Sequence, residues 1–248
     1  MSEYPTLSEE KVLFEHGHTL SLIKIKDEFL GYLGHIDFSK IEIFRGKDIY
    51  NMEKVGEIPN VRWGSTIRIY NGEIIRLYFT KQDLLSKLPF VNPCRSQTIY
   101  FMGGVSGLFN KGPLYRQKVE RASAPFAFRD KTGRLALACH KRDPHQILVF
   151  MPEGPLEILN FGKQIVSAPS IAYFRDQYWL TCEYRITHGN WRTMLYSGTQ
   201  LNSLKLVSIN FLLNTACAFQ HLFGERYVLT YSKQTKEGWK LCAREGKL

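Results

Sequence analysis

The 248-residue chain has no run apolar for the length a membrane span needs, so it reads as soluble. Its start, "MSEYPTLSEEK", lacks the basic opening and apolar core of a signal peptide. Helical periodicity is nearly absent, which excludes a helical bundle. No C-x-x-C spacing occurs, and the five cysteines are an odd number. Cys139, Cys182, Cys217 and Cys242 stand in apolar runs, where a thiol behaves as a small hydrophobe. All five, Cys94 included, read as reduced and structural, which places the chain in the cytoplasm, or a host cytoplasm for a viral protein. No phosphate-cradling loop is present, since "FMGGVSG" at Phe101 lacks the Lys and Ser/Thr of a P-loop. His16 and His18 stand two apart without a third ligand that can be named, so neither a metal nor a cofactor is expected.

What the chain does have is positive charge and short alternating runs. Its formal net charge is +10, which favours an acidic partner such as phosphate, carboxylate, nucleic acid or an anionic surface. The charge is scattered and no nucleic-acid-binding motif accompanies it. Hydrophobic content of 44% and aromatic content of 13%, mostly Tyr and Phe, fit a folded β-rich protein. Two segments suggest short helices: "TLSEEKVLFEHG", with Thr6 and Glu9 as a capping box, and "KQDLLSKL". Nearly everything else alternates with period two between Gly, Asn and Asp turns. In "STIRIYNGEIIRLYF" two strands flank Asn71-Gly72, a strong hairpin signal.

A repeat organises these strands. "SAPFAFRDKTGRLALACHKR" from Ser123 and "SAPSIAYFRDQYWLTCEYR" from Ser167 begin roughly 44 residues apart, the period of a propeller blade. Weaker copies start at His18, Arg62 and Asn214. Each is an apolar strand, a turn and a second strand. A third strand often follows, as at Trp191, Trp239 and His145, then a fourth, as at Leu204 and Leu156. The fold expected is all-β, a single five-bladed β-propeller domain over 1–248 with four antiparallel strands per blade. The last unit runs out of chain after its third strand, so Lys11–Phe14 is expected to supply the missing outer strand. Two stacked β-sandwiches are the competing arrangement. Trp191 and Trp239, equivalent in successive blades, read as packing between blades.

In a propeller the first strand lines the channel and the second returns beside it, so first-strand starts and second-strand ends share one mouth. That geometry gathers Arg62, Lys81, Arg121, Lys141, Arg142, Arg185 and Lys233 with His18, His35 and His140, against Asp37 and Glu183. Guanidinium groups bind carboxylate and phosphate bidentately, and Trp63 or a Tyr such as Tyr231 offers a face to a sugar ring. The candidate ligand is therefore small, anionic and sugar-like. Any acid–base chemistry falls to Glu183 and Asp37, with His18, His35 and His140 as partners.

The phrase "-AP-", apolar strand, turn, "YWL" resembles blades of the five-bladed glycoside hydrolases, of both the arabinanase/β-xylosidase and invertase/levansucrase types. That resemblance implies three catalytic carboxylates on inner strands, including the facing pair that glycoside hydrolysis needs. Laid over the pattern, Thr19, Ala124 and Ser167 occupy those three positions, so the catalytic carboxylates are apparently not retained. "RDP" at Arg142–Pro144 spells an invertase-type motif but follows a second strand, where Asp-Pro opens a turn. Three functions follow as expectations: a carbohydrate-active propeller binding or processing an anionic sugar, a non-catalytic glycan- or nucleotide-binding propeller, and, unsupported by any motif, nucleic-acid binding through the basic surface.

Overall fold

The computed structural model describes residues 3–35, 37, 39–69, 74–82, 97–104, 115–120, 122–141, 145–151, 157–159, 161, 165–187 and 190–248. Five four-stranded antiparallel sheets form the blades. Blade 1 contains β2 (Thr19–Ile25), β3 (Glu28–Gly34), β4 (Lys40–Asp48) and β5 (Asn51–Pro59). Blade 2 contains β6 (Val61–Ile69), β7 (Ile74–Gln82), β8 (Gln97–Gly104) and β9 (Tyr115–Glu120). Blade 3 contains β10 (Ala122–Arg129), β11 (Leu135–Lys141), β12 (Gln146–Phe150) and the short β13 (Glu157–Leu159). Blade 4 contains β14 (Val166–Phe174), β15 (Gln177–Thr187), β16 (Asn190–Gly198) and β17 (Lys205–Leu213). Blade 5 contains β18 (Thr215–Phe223), β19 (Arg226–Thr235), β20 (Gly238–Lys247) and, on its outer edge, β1 (Lys11–Phe14).

The expected closure is therefore present. Lys11 pairs with Ala243 and Val12 with Cys242, so a strand from one end of the chain completes the sheet made at the other. The inner strands touch in the cyclic order β2, β6, β10, β14, β18 and back to β2, a five-bladed propeller and not two sandwiches.

Period-two alternation buries both faces of the sheets. On β11, Leu137 and Cys139 face blade 2 with Tyr78 and Ile99, while Ala136 and Ala138 face blade 4 with Ile171 and Leu180. A separate apolar core thus fills each of the five gaps between neighbouring blades. Cys139, Cys182, Cys217 and Cys242 are buried free thiols; Cys94 lies outside the described residues.

One expectation is overturned. Thr6–Glu9 opens no helix, and the described residues contain none beyond a 3-10 turn at Leu201–Ser203. Tyr4 instead wedges its ring 5.0 Å from Trp179 and hydrogen-bonds Tyr227, while Ser8 donates its N–H to the Glu245 carbonyl at 2.7 Å. Packing across blades 4 and 5 outweighs a local capping preference. Beyond Gln82, the second helical segment lies outside the described residues, as do Asn71-Gly72, Arg121 and Arg142–Pro144. Among the described residues, no helix is long and apolar enough to cross a membrane.

Candidate functional site: the channel mouth

Strand register brings the expected ends together. Thr19 pairs with Gly34, Arg62 with Thr80, Ser123 with His140, Ser167 with Glu183, and Thr215 with Lys233. Each pair sits where an inner strand begins, at one mouth of the channel.

The backbone is unusual there. In β6, β10, β14 and β18 the register slips just inside the mouth, and one residue at each slip is left-handed: Trp63 (φ 53°), Ala124 (50°), Ala168 (44°) and Cys217 (50°). These are β-bulges, and each costs about 1–2 kcal/mol for a residue with a Cβ. Pro125 and Pro169 follow two of them directly, in keeping with the rule that a proline inside a sheet needs a bulge. The four residues and Ala216 form one buried cluster that packs the mouth, with Trp239 against it. The inner strand of blade 1 has no such bulge, and its pairing with β3 runs unbroken from Thr19–Gly34 to Ile25–Glu28.

Second strands secure two of these bulges. Thr80 Oγ1 accepts the Ala124 N–H of the next blade at 3.2 Å. At the equivalent place in blade 4, Glu183 Oε2 accepts the Cys217 N–H at 3.2 Å and its thiol at 3.6 Å. The other Glu183 oxygen accepts the Ser167 hydroxyl. Ser232 in blade 5 donates to the His18 carbonyl. In blade 1 the place belongs to Gly34, where a Cβ would meet Thr19 Oγ1 at 2.5 Å. Glu183 is thus the carboxylate member of a series of clasps between blades, with both oxygens engaged. Burial, then the nearby Glu183 carboxylate, holds the Cys217 thiol protonated, so it is no thiolate nucleophile.

The remaining sequence-predicted residues divide. Arg62 lies 3.7 Å above the buried Trp63 ring, a cation–π stack at the start of β6. His18 is buried with its ring 5.4 Å from Trp239; burial, reinforced by Arg62, lowers its pKa to about 3, so it is neutral. Arg185 lies 5.4 Å from the Trp191 ring and is partly exposed, as are Lys81, Lys141 and Tyr184. His140 stacks on His145 with Nε2 and Nδ1 3.0 Å apart. Lys233 pairs with Glu10. Tyr231 packs between blades 4 and 5 with its hydroxyl on Glu10 and Arg244, away from the channel. Asp37 is exposed and caps its own turn, accepting the Ser39 N–H at 3.0 Å; bonds from Ser39 lower its pKa. Thr19 Oγ1 and Ser123 Oγ are buried and have no hydrogen-bond partner among the described residues.

Sequence reasoning missed Glu10 because its segment reads as helix. It also missed Glu42, which lies on a third strand. Burial raises the Glu42 carboxyl, but hydrogen bonds from Lys54, His35 and Lys40 outweigh it and hold the pKa at about 2.

Open space lies at the other end. A cavity of about 730 Å³ is lined by the later halves of all five inner strands. Its apolar wall includes Leu22, Phe126 and Ile171, and its polar lining is largely paired: Ser21 with Thr66 at 2.9 Å, and Gln220 with Ser170 and Trp179. Lys24, Lys26, Arg68 and Arg129 stand among its lining residues, so basic charge is not confined to the mouth. Two of these act as straps between blades: Arg129 donates to the Arg68 carbonyl at 2.7 Å, and Arg68 to the Lys24 carbonyl at 3.2 Å. Volume favours the far end. Strained backbone, a buried carboxylate, an imidazole and a guanidinium converge at the mouth, and such convergence is the better mark of a site.

This fold defines a five-bladed β-propeller with an inner-strand mouth. No protein-family model matches the chain, and no curated protein matches it in sequence. Among solved structures it is similar to a GH43 endo-arabinanase from Bacillus licheniformis, with a TM-score of 0.65 and 13% identity over 93% of each chain. An exo-β-1,3-galactanase from Phanerochaete chrysosporium, solved with β-1,3-galactotriose, gives 0.69 at 9% identity, covering 95% of this chain and 64% of that one. A xylan β-1,4-xylosidase from Bacillus halodurans gives 0.66 at 10%, covering 94% and 53%. The chain thus spans nearly all of the arabinanase and a little over half to two thirds of the other two. At these identities the likeness is one of fold.

Proposed function

We propose that the protein is a sugar-binding propeller that recognises an anionic, sugar-like ligand (an acidic sugar, a phosphosugar or a nucleotide-sugar) at the inner-strand mouth, without hydrolysing it. The observation that carries this reading is Arg62, held over Trp63 where β6 begins, with its guanidinium close to both His18 and Cys217. A fork fixed by an aromatic face is pre-organised for a carboxylate or phosphate. Lys81, Arg185 and Lys233 complete the described part of the basic rim, and Tyr184 and Trp239 offer aromatic surface. The fold's likeness to sugar-processing propellers supports a carbohydrate ligand. Four buried thiols support a reducing, cytoplasmic setting, and 1–248 is read as one domain.

The described carboxylates support binding without hydrolysis. Glycoside hydrolysis needs two facing carboxyl groups. Here Glu183 is engaged in a clasp and Asp37 is turned to its own loop. The competing reading keeps Glu183 as a base, favoured by its burial at the mouth.

The test is calorimetric titration with acidic sugars, sugar phosphates, nucleotide-sugars and free nucleotides at fixed salt. Wild type should bind one class, and Arg62→Gln should weaken it at least tenfold, while Lys24→Ala/Lys26→Ala at the far end should not. Loss through Lys24 and Lys26 alone would move the site to the cavity. Binding only to nucleic acid, falling steeply with salt, would replace the sugar reading with the electrostatic one. Turnover abolished by Glu183→Gln would overturn the non-hydrolytic part.

A further inference from the structure

Beside the mouth, His16, His35 and Glu42 converge from three parts of blade 1. His16 lies in the link between β1 and β2, His35 follows β3, and Glu42 is on β4. Their ligand atoms all lie within 4.8 Å of one another. His35 Nε2 is 2.8 Å from Glu42 Oε2, and His16 Nε2 is 3.6 Å from the same oxygen. The two imidazole rings stack at 5.6 Å with an interplanar angle of 19°. We propose that these three side chains form a binding site for a transition-metal ion of the zinc type, independent of the sugar reading of the mouth.

Donor chemistry and spacing carry the proposal. Around an ion with bonds of about 2.0–2.1 Å, tetrahedral donors stand about 3.3 Å apart, a spacing that lies between the observed 2.8 and 3.6 Å. Two nitrogen donors and one carboxylate suit zinc and its neighbours over calcium or magnesium, which take oxygen shells. The carboxylate is prepared for the role. Glu42 is buried, and its Oε1 is held by Lys54 at 2.7 Å and Lys40 at 3.1 Å, leaving Oε2 to the histidines. Glu57 balances one of these lysines, at 2.7 Å from Lys54, so the surrounding charges offset one another. His16 is 61% exposed, free to adjust and open to an incoming ion. Three protein ligands leave a fourth position for water or a small anion.

His16 and His18, two apart in the sequence, do not come together. His18 turns inward against Trp239, and His16 finds a partner nineteen residues along the chain in His35. An ion here would tie the segment that leaves the closing strand β1 to the body of blade 1, at the seam where the ring is completed.

Tag-free protein stripped with a chelator and titrated with Zn²⁺ by calorimetry, and with Co²⁺ by visible absorption, tests this. One equivalent should bind with micromolar or tighter affinity, give the intense absorption of a four- or five-coordinate Co²⁺ site, and raise Tm by several degrees. His16→Ala, which removes an exposed side chain, should weaken binding at least tenfold with an unchanged metal-free Tm, and His35→Ala should do the same to binding. No saturable binding below about 100 µM, binding indifferent to His16→Ala, or binding lost instead in His145→Ala at the other histidine pair would each overturn the proposal.

Discussion

The two ends of the central channel use the same five strands in opposite ways. At the mouth the strands are kinked, four residues are forced left-handed, and buried side chains close the space between them. At the far end the same strands run in register and part around a cavity of about 730 Å³, and neighbouring blades are strapped by arginines reaching to backbone carbonyls. Rigidity and space are thus kept apart. Strain is stored where polar and titratable groups gather, and cohesion at the open end relies on bonds that solvent can replace.

The comparison is tested most severely by Trp63. Trp63→Ala removes a buried ring from the mouth cluster and should cost about 3–5 kcal/mol in urea unfolding. Arg129→Ala, which removes a strap at the far rim, should cost about 1 kcal/mol or less. Comparable losses would mean that the two ends do not differ in kind.

Glu183 comes next. Glu183→Ala leaves the Cys217 N–H and the Ser167 hydroxyl without their acceptor and should cost about 2–3 kcal/mol, whereas Glu183→Gln keeps an acceptor and should cost about 1 kcal/mol at most. Equal effects would sink the clasp.

A paired substitution within β14 isolates backbone strain. Ala172→Gly, in the regular half of the strand, loses a methyl and gains chain entropy, and should cost about 1–2 kcal/mol. Ala168→Gly loses the same methyl but relieves a left-handed residue, so it should fall within about 0.5 kcal/mol of wild type. If the two glycines cost the same, the bulge is not strained.

The smallest effect depends on pH. Because the folded pKa of Glu42 is depressed from 4.5 to about 2, its contribution is complete above about pH 4.5 and disappears as pH falls towards 2. Lys54 and Lys40 are 42% and 32% exposed, and that exposure screens the contribution to about 1 kcal/mol. Glu42→Gln should therefore lower stability at neutral pH and flatten the acid limb of the unfolding curve. An unchanged limb would remove Glu42 from the mouth's electrostatics.

Much of the architecture was legible because it depends on period and spacing. The Ser123 and Ser167 phrases set the blade length, and alternation within "LALACHK" and "YWLTCEY" marked strands buried on both faces. Even Lys11–Phe14 could be placed, since a ring leaves one vacancy to fill. The bulges were written in the same phrases but not read. Ala-Pro inside an apolar strand signals a kink, and Trp63 and Cys217 carry the same kink without the proline. Missing that one-residue slip hid the role of Glu183, which is legible only once the Cys217 N–H is known to point at it. Glu42 and Glu10 were out of reach for another reason. Each meets its partners across tertiary contacts that no spacing along the chain records, and the far-end cavity leaves no local pattern at all.

The pairing of Lys11–Phe14 with Gly238–Lys247 has a consequence during synthesis. The strand that completes blade 5 is made before the other four blades, and its partner only after them. At about 5–20 residues per second, the early strand waits on the order of ten seconds or more before the ring can shut. Until then the four earlier blades form an open arc with an uncovered apolar flank. A ribosome that stalls before Gly238–Lys247 is made would therefore hold the ring open in its most adhesive state.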